Sequence, residues 1–411
     1  MTTDAKLPPR AWLIVALLWV GACLNYVDRV MITTMRGSIK DSIPMTDAQF
    51  GLLTTAFLLV YAVLSPFAGY LADRLNRSRV IIGSLLVWSL VTWLTEYAKT
   101  YEQLFTTRLL MGVSEACYIP AALALVADYH RGATRSLAIG VLLGGVMVGS
   151  ALGGVGGWLA ERQSWGFAFG LFGQIGIGFA AVLLLLLRDA PRDTADPVAP
   201  TEASEKIRLG AAIRSLFGSG AFILFFVYAG LYGFASWMVV GWMPTYLQEH
   251  FNLAQGRAGL LSSVYVNAGS LVGLVVGGAW ADRWGRSNER SRIFVAAIGL
   301  VIAAPAIFVV ANTSLLPLAL AGLLLFGMTV AFASGEMMPI LCLFVDRRYR
   351  ATGFGILNLF ACTVGGATTY AGGVLRDAQV DVNRLFQAGS FGLVVCALML
   401  LFIRPRDPTA P

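Results

Sequence analysis

The chain alternates long apolar runs with short polar breaks. Twelve runs of about the length that crosses a bilayer core fall at roughly 11–35, 50–72, 80–95, 103–127, 136–160, 166–187, 217–243, 259–281, 292–311, 315–338, 350–373 and 385–403. The pattern predicts an all-α membrane protein of twelve transmembrane helices. The one long polar stretch, 188–214, is rich in Pro, Ala and charge and reads as a linker between six-helix bundles at 1–187 and 215–411. The first run exceeds a signal-peptide core, lacks a small-residue cleavage site and contains Asp28 and Arg29, so it reads as a retained span.

Composition narrows the class. Hydrophobic residues make up 57% of the chain and charged residues 13%, against about a quarter charged in a soluble domain. Too little polar surface remains to coat a water-soluble globule. The net charge of +7 does not point to nucleic acid, because the basic residues lie in short loops between apolar runs. With both termini inside, the inner loops hold 21 of the 30 Lys and Arg residues and the outer loops 7, the bias expected of an inner, cytoplasmic face. The five cysteines sit inside apolar runs without CxxC spacing, and there are only two histidines. No metal, cofactor or disulfide is expected. HExxH, GxSxG and P-loop motifs are absent, which argues against an enzyme.

The two halves repeat. Gly69, Asp73 and Arg74, followed by Arg77 and Arg79, close span two; Gly278, Asp282 and Arg283, followed by Arg286 and Arg290, close span eight. Asp128 with Thr134 after span four matches Asp346 with Thr352 after span ten, the offsets being 209 and 218 residues. Internal repeats around a central site recur in secondary transporters. The GxxxDR-plus-basic loop in both halves resembles the signature loop of the major facilitator superfamily, with Asn76 standing where the first copy usually has Gly. The resemblance implies the major facilitator fold, two pseudo-symmetric six-helix halves rocking about a central site. The glycines would let helices approach closely, and Asp73 and Asp282 would accept bonds from a helix N-terminus or the loop arginines. Such a set can latch the cytoplasmic end shut, unless the arginines are only topology markers.

Four ionisable residues lie at bilayer depth in the first half: Asp28 and Arg29 in span one, Arg108 and Glu115 in span four. Each costs at least ~2.5–3.5 kcal/mol there unless partnered or wetted. Two acids and two bases sum to zero, so the set can form a neutral network. An anionic substrate upsets that balance and one bound proton restores it, which is a physical basis for anion–proton symport. An arginine can hold a carboxylate in a fork while an acid takes the proton; the plain structural reading is an ion-pair network that positions two helices. Arg108 and Glu115 are two turns apart and share a helix face.

The string Asn25-Tyr26-Val27-Asp28-Arg29, with Arg108 and Glu115 and the strings at 242–247 and 355–359, resembles the anion:cation symporter family of sugar-acid and organic-acid proton symporters. That resemblance implies substrate contact by Arg29, beside Asn25 and Tyr26, proton coupling by Asp28 and Glu115, and Arg108 tied to Glu115. The Asn-Tyr-x-Asp-Arg string and the Arg-to-Glu pair are shared with Spinster-like lipid transporters, the rival resemblance.

Gly145, Gly149, Gly153 and Gly157 form a helix-packing face or a flexible gate in span five. Ser150 stands where proton-coupled drug antiporters carry proline, which argues against a drug exporter. Tyr228 and Tyr232 in span seven either line the cavity or pack, and Asn267 and Asn358 are cavity candidates because an unpaired amide in lipid is costly. Glu336, the one acid of span ten, lacks a basic partner within the second-half spans. It reads as a second protonation site, a cation contact, or a partner of Arg347 or Arg350. The expected function is proton-coupled import of a small organic anion by a monomer in a bacterial cytoplasmic membrane. Lysolipid transport is the alternative, and a non-transporting sensor is disfavoured by the short tails.

Overall fold

The structure, a computed structural model, describes residues 10–130, 134–190 and 209–403, the side chains of 69–74, 209 and 347 lying outside the description. Regular structure among the described residues is helical. The first half comprises α1 (Ala11–Thr34), α2 (Arg36–Ser42), α3 (Asp47–Arg74), α4 (Arg77–Thr95), α5 (Tyr101–Glu115), α6 (Tyr118–Tyr129), α7 (Arg135–Leu152), α8 (Val155–Arg162) and α9 (Trp165–Leu186). After the interface helix α10 (Leu209–Phe217) come α11 (Gly220–His250), α12 (Gln255–Gly285) and α13 (Ser291–Asn312). The second half ends with α14 (Leu316–Leu341), α15 (Arg350–Asp377) and α16 (Val382–Phe402). Twelve segments are long and apolar enough to cross a bilayer. The start of α1 and the end of α16 therefore lie toward one face, called near here; the opposite face is called far.

Two spans are not single helices. Span four breaks between Glu115 and Tyr118, where the Ser84 hydroxyl of α4 donates to the Ser114 carbonyl at 2.6 Å. Span five breaks at Gly153 and Gly154. The stretch read as linker is helical from Leu209, because Ala212 and Leu216 bury one face of α10 while Arg214 stays exposed; residues 191–208 lie outside the described residues. Several helices start as local chemistry dictates. Thr100 and Ser164 cap α5 and α9 by accepting the Gln103 and Phe167 amides.

Small residues decide how closely the helices approach. A methyl at Gly145, Gly149, Gly153 or Gly157 would collide with Trp19, Cys23, Val30 or Thr34 in turn, so α7 and α8 lie in close contact along α1. Of the two readings of this glycine run, packing is the one the geometry favours. Close approach also builds the seams between halves. Gly51 and Gly373 let α3 and α15 touch backbone to backbone, and Gly154 and Gly259 do the same for the α7–α8 break and α12. The second half keeps a core of its own, drawn from α10 to α16, with Tyr228, Trp242 and Phe326 among its large residues. The first half divides its core into smaller clusters around the polar centre described below.

Overpacking a tight seam typically costs about 1–3 kcal/mol. Gly149→Ala should therefore lower the melting temperature of the purified protein. Gly178→Ala, with nothing within 4 Å of the added methyl, should leave it unchanged or raise it, since Ala is the better helix former. Differential scanning fluorimetry of both variants checks this.

Candidate functional site

The polar centre is built from α1, α3, α4 and α5. Asp28 and Arg29 are adjacent on α1, so their side chains leave the helix about 100° apart. Arg29 turns toward α3 and α5. Its Nη2 donates to Glu115 Oε2 at 3.1 Å and, one helical turn back, to Asn25 Oδ1 at 3.4 Å. Its guanidinium lies over three rings, Tyr26 at 4.5 Å, Phe57 at 5.0 Å and Tyr61 at 4.4 Å, an aromatic box that stabilises a cation through the ring quadrupoles. Asp28 turns instead toward α4, where its Oδ2 accepts the Thr92 hydroxyl at 3.2 Å. All four charged residues of the centre are buried, Glu115 completely.

Hydrogen bonding here is incomplete. Asn25 Nδ2, Asp28 Oδ1, Arg29 Nε, Arg108 Nε and Glu115 Oε1 are all buried and make no hydrogen bond among the described residues. Native interiors leave few such atoms, and five in one cluster mark it as a place where protons, water or a ligand complete the bonding.

Several expectations need correction. Arg108 is not bonded to Glu115. It stacks over Phe169 at 5.1 Å and its guanidinium reaches Met111, and among the described residues it forms no ion pair. Two helical turns separate Arg108 from Glu115 by about 10.8 Å along the axis, whereas Arg29 arrives from α1 at the level of Glu115 and takes it. Glu336 does have a basic partner in a second-half span: Arg292, at the start of α13, donates to it at 2.7 Å and to Asp282 at 2.7 Å. Neither acid bonds to Arg350, which is used up on the Val345 and Cys342 carbonyls; the side chain of Arg347 lies outside the described residues.

Tyr228 is fully buried in the second-half core, stacked on Phe225 at 5.0 Å, so it packs. Tyr232 sits half-buried beside it, ring centroids 6.2 Å apart. Asn267 donates to the Ser263 carbonyl of its own helix at 2.8 Å, which gives the amide one partner within its span. Asn358 is one turn from Cys362 on α15, and Cys362 is within electrostatic range of Arg29 and Tyr26. Of the second-half candidates, Asn358 is therefore the one that α15 brings toward the centre.

Of the near-face motif, the side chains of Gly69, Asp73 and Arg74 lie outside the described residues. Gly278 has no described neighbour within 4 Å of where a methyl would sit, so the expected close approach is not made there. Arg283 is exposed, and Asp282 pairs within its own half.

The far face holds a network that the sequence reading missed. Asp47, at the start of α3, accepts Arg36 and Lys40 from its own half and Arg376 Nε from the other at 3.0 Å. Arg376 also grips Glu249 with both Nη atoms at 2.7 Å, and Arg36 reaches the same carboxylate at 3.4 Å. Asp377 accepts the first amides of α3, Asp47 N–H and Ala48 N–H, at 2.9 Å each. Of these bonds, Arg376–Asp47, Arg36–Glu249 and the two Asp377 contacts cross between the halves and hold the far face closed. Each residue sits at a helix end, where a charge reads as a loop residue. The available signal was the pairing of acids with bases at matching ends of spans one, two, seven and eleven.

Twelve membrane-crossing segments among the described residues, in two pseudo-symmetric halves with a buried charged centre and a cross-half lock at one face, define an integral multi-pass membrane transporter that takes a small-molecule substrate. The chain belongs to the Major Facilitator Superfamily, whose profile matches residues 18–370. Relatives include human "Protein spinster homolog 1", 30% identical over 73% of this chain; the chain spans 60% of that protein's length. A "Probable sulfoacetate transporter" of Cupriavidus necator is 24% identical over 93% of this chain and 91% of its own length. Among solved structures, a bacterial homologue of the human lysosomal transporter Spinster, inward-facing and unoccupied, superposes with a TM-score of 0.76 over 97% of this chain and 96% of its own, at 21% identity. A D-xylose–proton symporter gives 0.77 over 96% and 98%, at 15% identity. At such identities the structures speak for the fold.

Arg376→Ala removes the cross-half bond to Asp47 and releases Glu249, the acceptor of the cross-half bond from Arg36. Bonds to charged groups contribute about 1.5–3 kcal/mol each when well formed, so the far-face-closed population should fall by about tenfold or more. Spin labels at Asp41 and Gln379 should then report longer distances by double electron–electron resonance. An unchanged distance distribution would show that the ring does not hold the gate.

Proposed function

We propose that this transporter carries a small organic anion, such as a hexuronate, an aldonate or another carboxylate, together with a proton. The single observation behind the reading is the buried Arg29–Glu115 pair inside its aromatic box. Glu115 and an incoming carboxylate compete for one guanidinium. A proton on Glu115 removes the internal competitor and frees Arg29 Nη2, with the unbonded Nε and Asn25 Nδ2 alongside, to grip the substrate. Loss of that proton lets Glu115 retake Arg29 and expel the anion. Asp28 and Arg108 form the second, looser acid–base couple, so the whole centre returns to neutrality when one anion and one proton bind together.

In this scheme residues 1–187 and 215–411 rock about the centre and 188–214 is the cytoplasmic linker, the alternating-access scheme of repeat-built carriers. Both termini face the cytoplasm of a bacterial cell, in keeping with the basic bias of the near-face loops. The far-face ring is then the external gate. The residues Gly69, Asp73, Arg74, Gly278, Asp282 and Arg283 form its cytoplasmic counterpart in the opposite conformation. Tyr26, Tyr232 and Asn358 supply neutral hydrogen-bonding groups, and one chain suffices as a monomer.

The alternative is movement of a lysolipid or lipid, in line with the Spinster-named relatives. Proteoliposomes separate the two readings: an imposed proton gradient should drive accumulation of a sugar acid. Transport seen only with lipids, and with no organic anion, would sink the first reading.

Arg29→Ala should abolish anion binding, read by calorimetry on purified protein. Glu115→Gln and Asp28→Asn should keep anion exchange across the vesicle membrane while losing gradient-driven accumulation. If Glu115→Gln still concentrates the anion, the coupling role assigned to Glu115 is wrong.

A further inference from the structure

The two walls of the central site differ in electrical character. The first half presents Asp28, Arg29, Arg108 and Glu115. The second half has no Asp, Glu, Lys, Arg or His anywhere in 215–248, 258–281, 293–335, 351–375 or 385–403. Its one intramembrane acid, Glu336, is held by Arg292 near the opposite end of α14 from the far face. What the second half brings to the centre is uncharged: Trp237 and Cys362, with Asn358 beside the thiol. Trp237 lies about as many residues along α11 as Arg29 lies along α1, hence at similar depth. It packs across the interface against the cluster containing Phe57, Tyr61, Met111 and Ala116. Gly365 of α15 makes the room for that indole, since a methyl there would strike it. Cys362 lies one turn before Gly366 on the same helix, within electrostatic range of Arg29.

A ligand in the centre therefore meets two arginines on the first-half wall and only uncharged groups, an indole and a thiol among them, on the second. A charge placed against the second wall would be desolvated with no ionic partner, only neutral groups, a state that burial strongly disfavours. We propose that the cargo carries all of its charge at one end, and that the Trp237–Cys362 wall rejects a second charged group. This inference rests on the carboxylate reading above and narrows it to anions with an uncharged distal end.

The test uses two pairs of six-carbon acids matched in backbone: gluconate against glucarate, and hexanoate against adipate. Binding of each to the purified full-length protein in nanodiscs is measured by calorimetry at neutral pH. Within any pair that binds, the monoacid should bind at least about tenfold more tightly than the diacid. In Cys362→Arg, which sets a cation on the neutral wall, that ratio should fall toward one or reverse. Should this variant not fold, the wild-type ratios decide alone. A diacid binding as tightly as its monoacid overturns the inference and leaves the carboxylate reading standing. Binding by no member of either pair overturns the carboxylate reading itself, and this inference with it.

Discussion

A charge in the middle of a membrane protein must be answered by another, and most of the first half is arranged around that requirement. Inserting Arg29 and Glu115 separately costs roughly 5–7 kcal/mol on translocon scales. Their attraction at 3.1 Å returns about 5 kcal/mol at an effective dielectric constant of 20. The two figures nearly cancel, so the pair is tolerated without being locked. The aromatic box adds a modest further contribution to the cation whether or not Glu115 is ionised. That is the energetic condition for a partner exchange: Arg29 is held in place by rings that do not compete for its hydrogen bonds.

The same near-balance explains why the scaffold around the centre is so closely packed. A loosely held α1 would let water reach the pair and weaken its electrostatics. The four glycines of α7 and α8 bring their backbones against α1 along four turns, and α5 ends one residue beyond Ser114, whose carbonyl α4 satisfies. Rigidity within each half contrasts with the seams between halves. Those are made of glycine contacts and of ion pairs that water can replace at the far face, so they can part without breaking a helix or stranding a charge in lipid.

Much of this was legible in the sequence. Twelve spans follow from apolar run length, and the superfamily from a loop motif repeated in register. The charged centre stood out because Asp28, Arg29, Arg108 and Glu115 interrupt runs that otherwise exclude charge. Which arginine meets Glu115 was not legible, since the answer depends on how α1 lies against α5 and not on spacing within span four. Arg292 was invisible as a partner for Glu336 for a different reason: two residues into α13, it looks like one more positive residue of a near-face loop. The far-face ring was hidden by the same ambiguity. A charge at a helix end is cheap in either environment, so only the packing of α3 against α15 and of α1 against α11 distinguishes a loop residue from a gate residue.

The division of charge between the halves follows from these constraints. If both walls carried ionisable groups at mid-depth, each would need its own neutralising partner in every conformation, and rocking would have to break two buried networks at once. Keeping all four charges on one half leaves them together while the other half moves past them. On the proposed symport reading, only the ligand and the proton then change the electrostatic state of the centre. The moving neutral wall, with Trp237 packed on the rings beside Arg29, can slide, wet or dewet at small cost. On that reading charge recognition and gating are separated: the first half would recognise charge, and the second half, through its uncharged face and the Arg376–Glu249 ends of α15 and α11, would close over it.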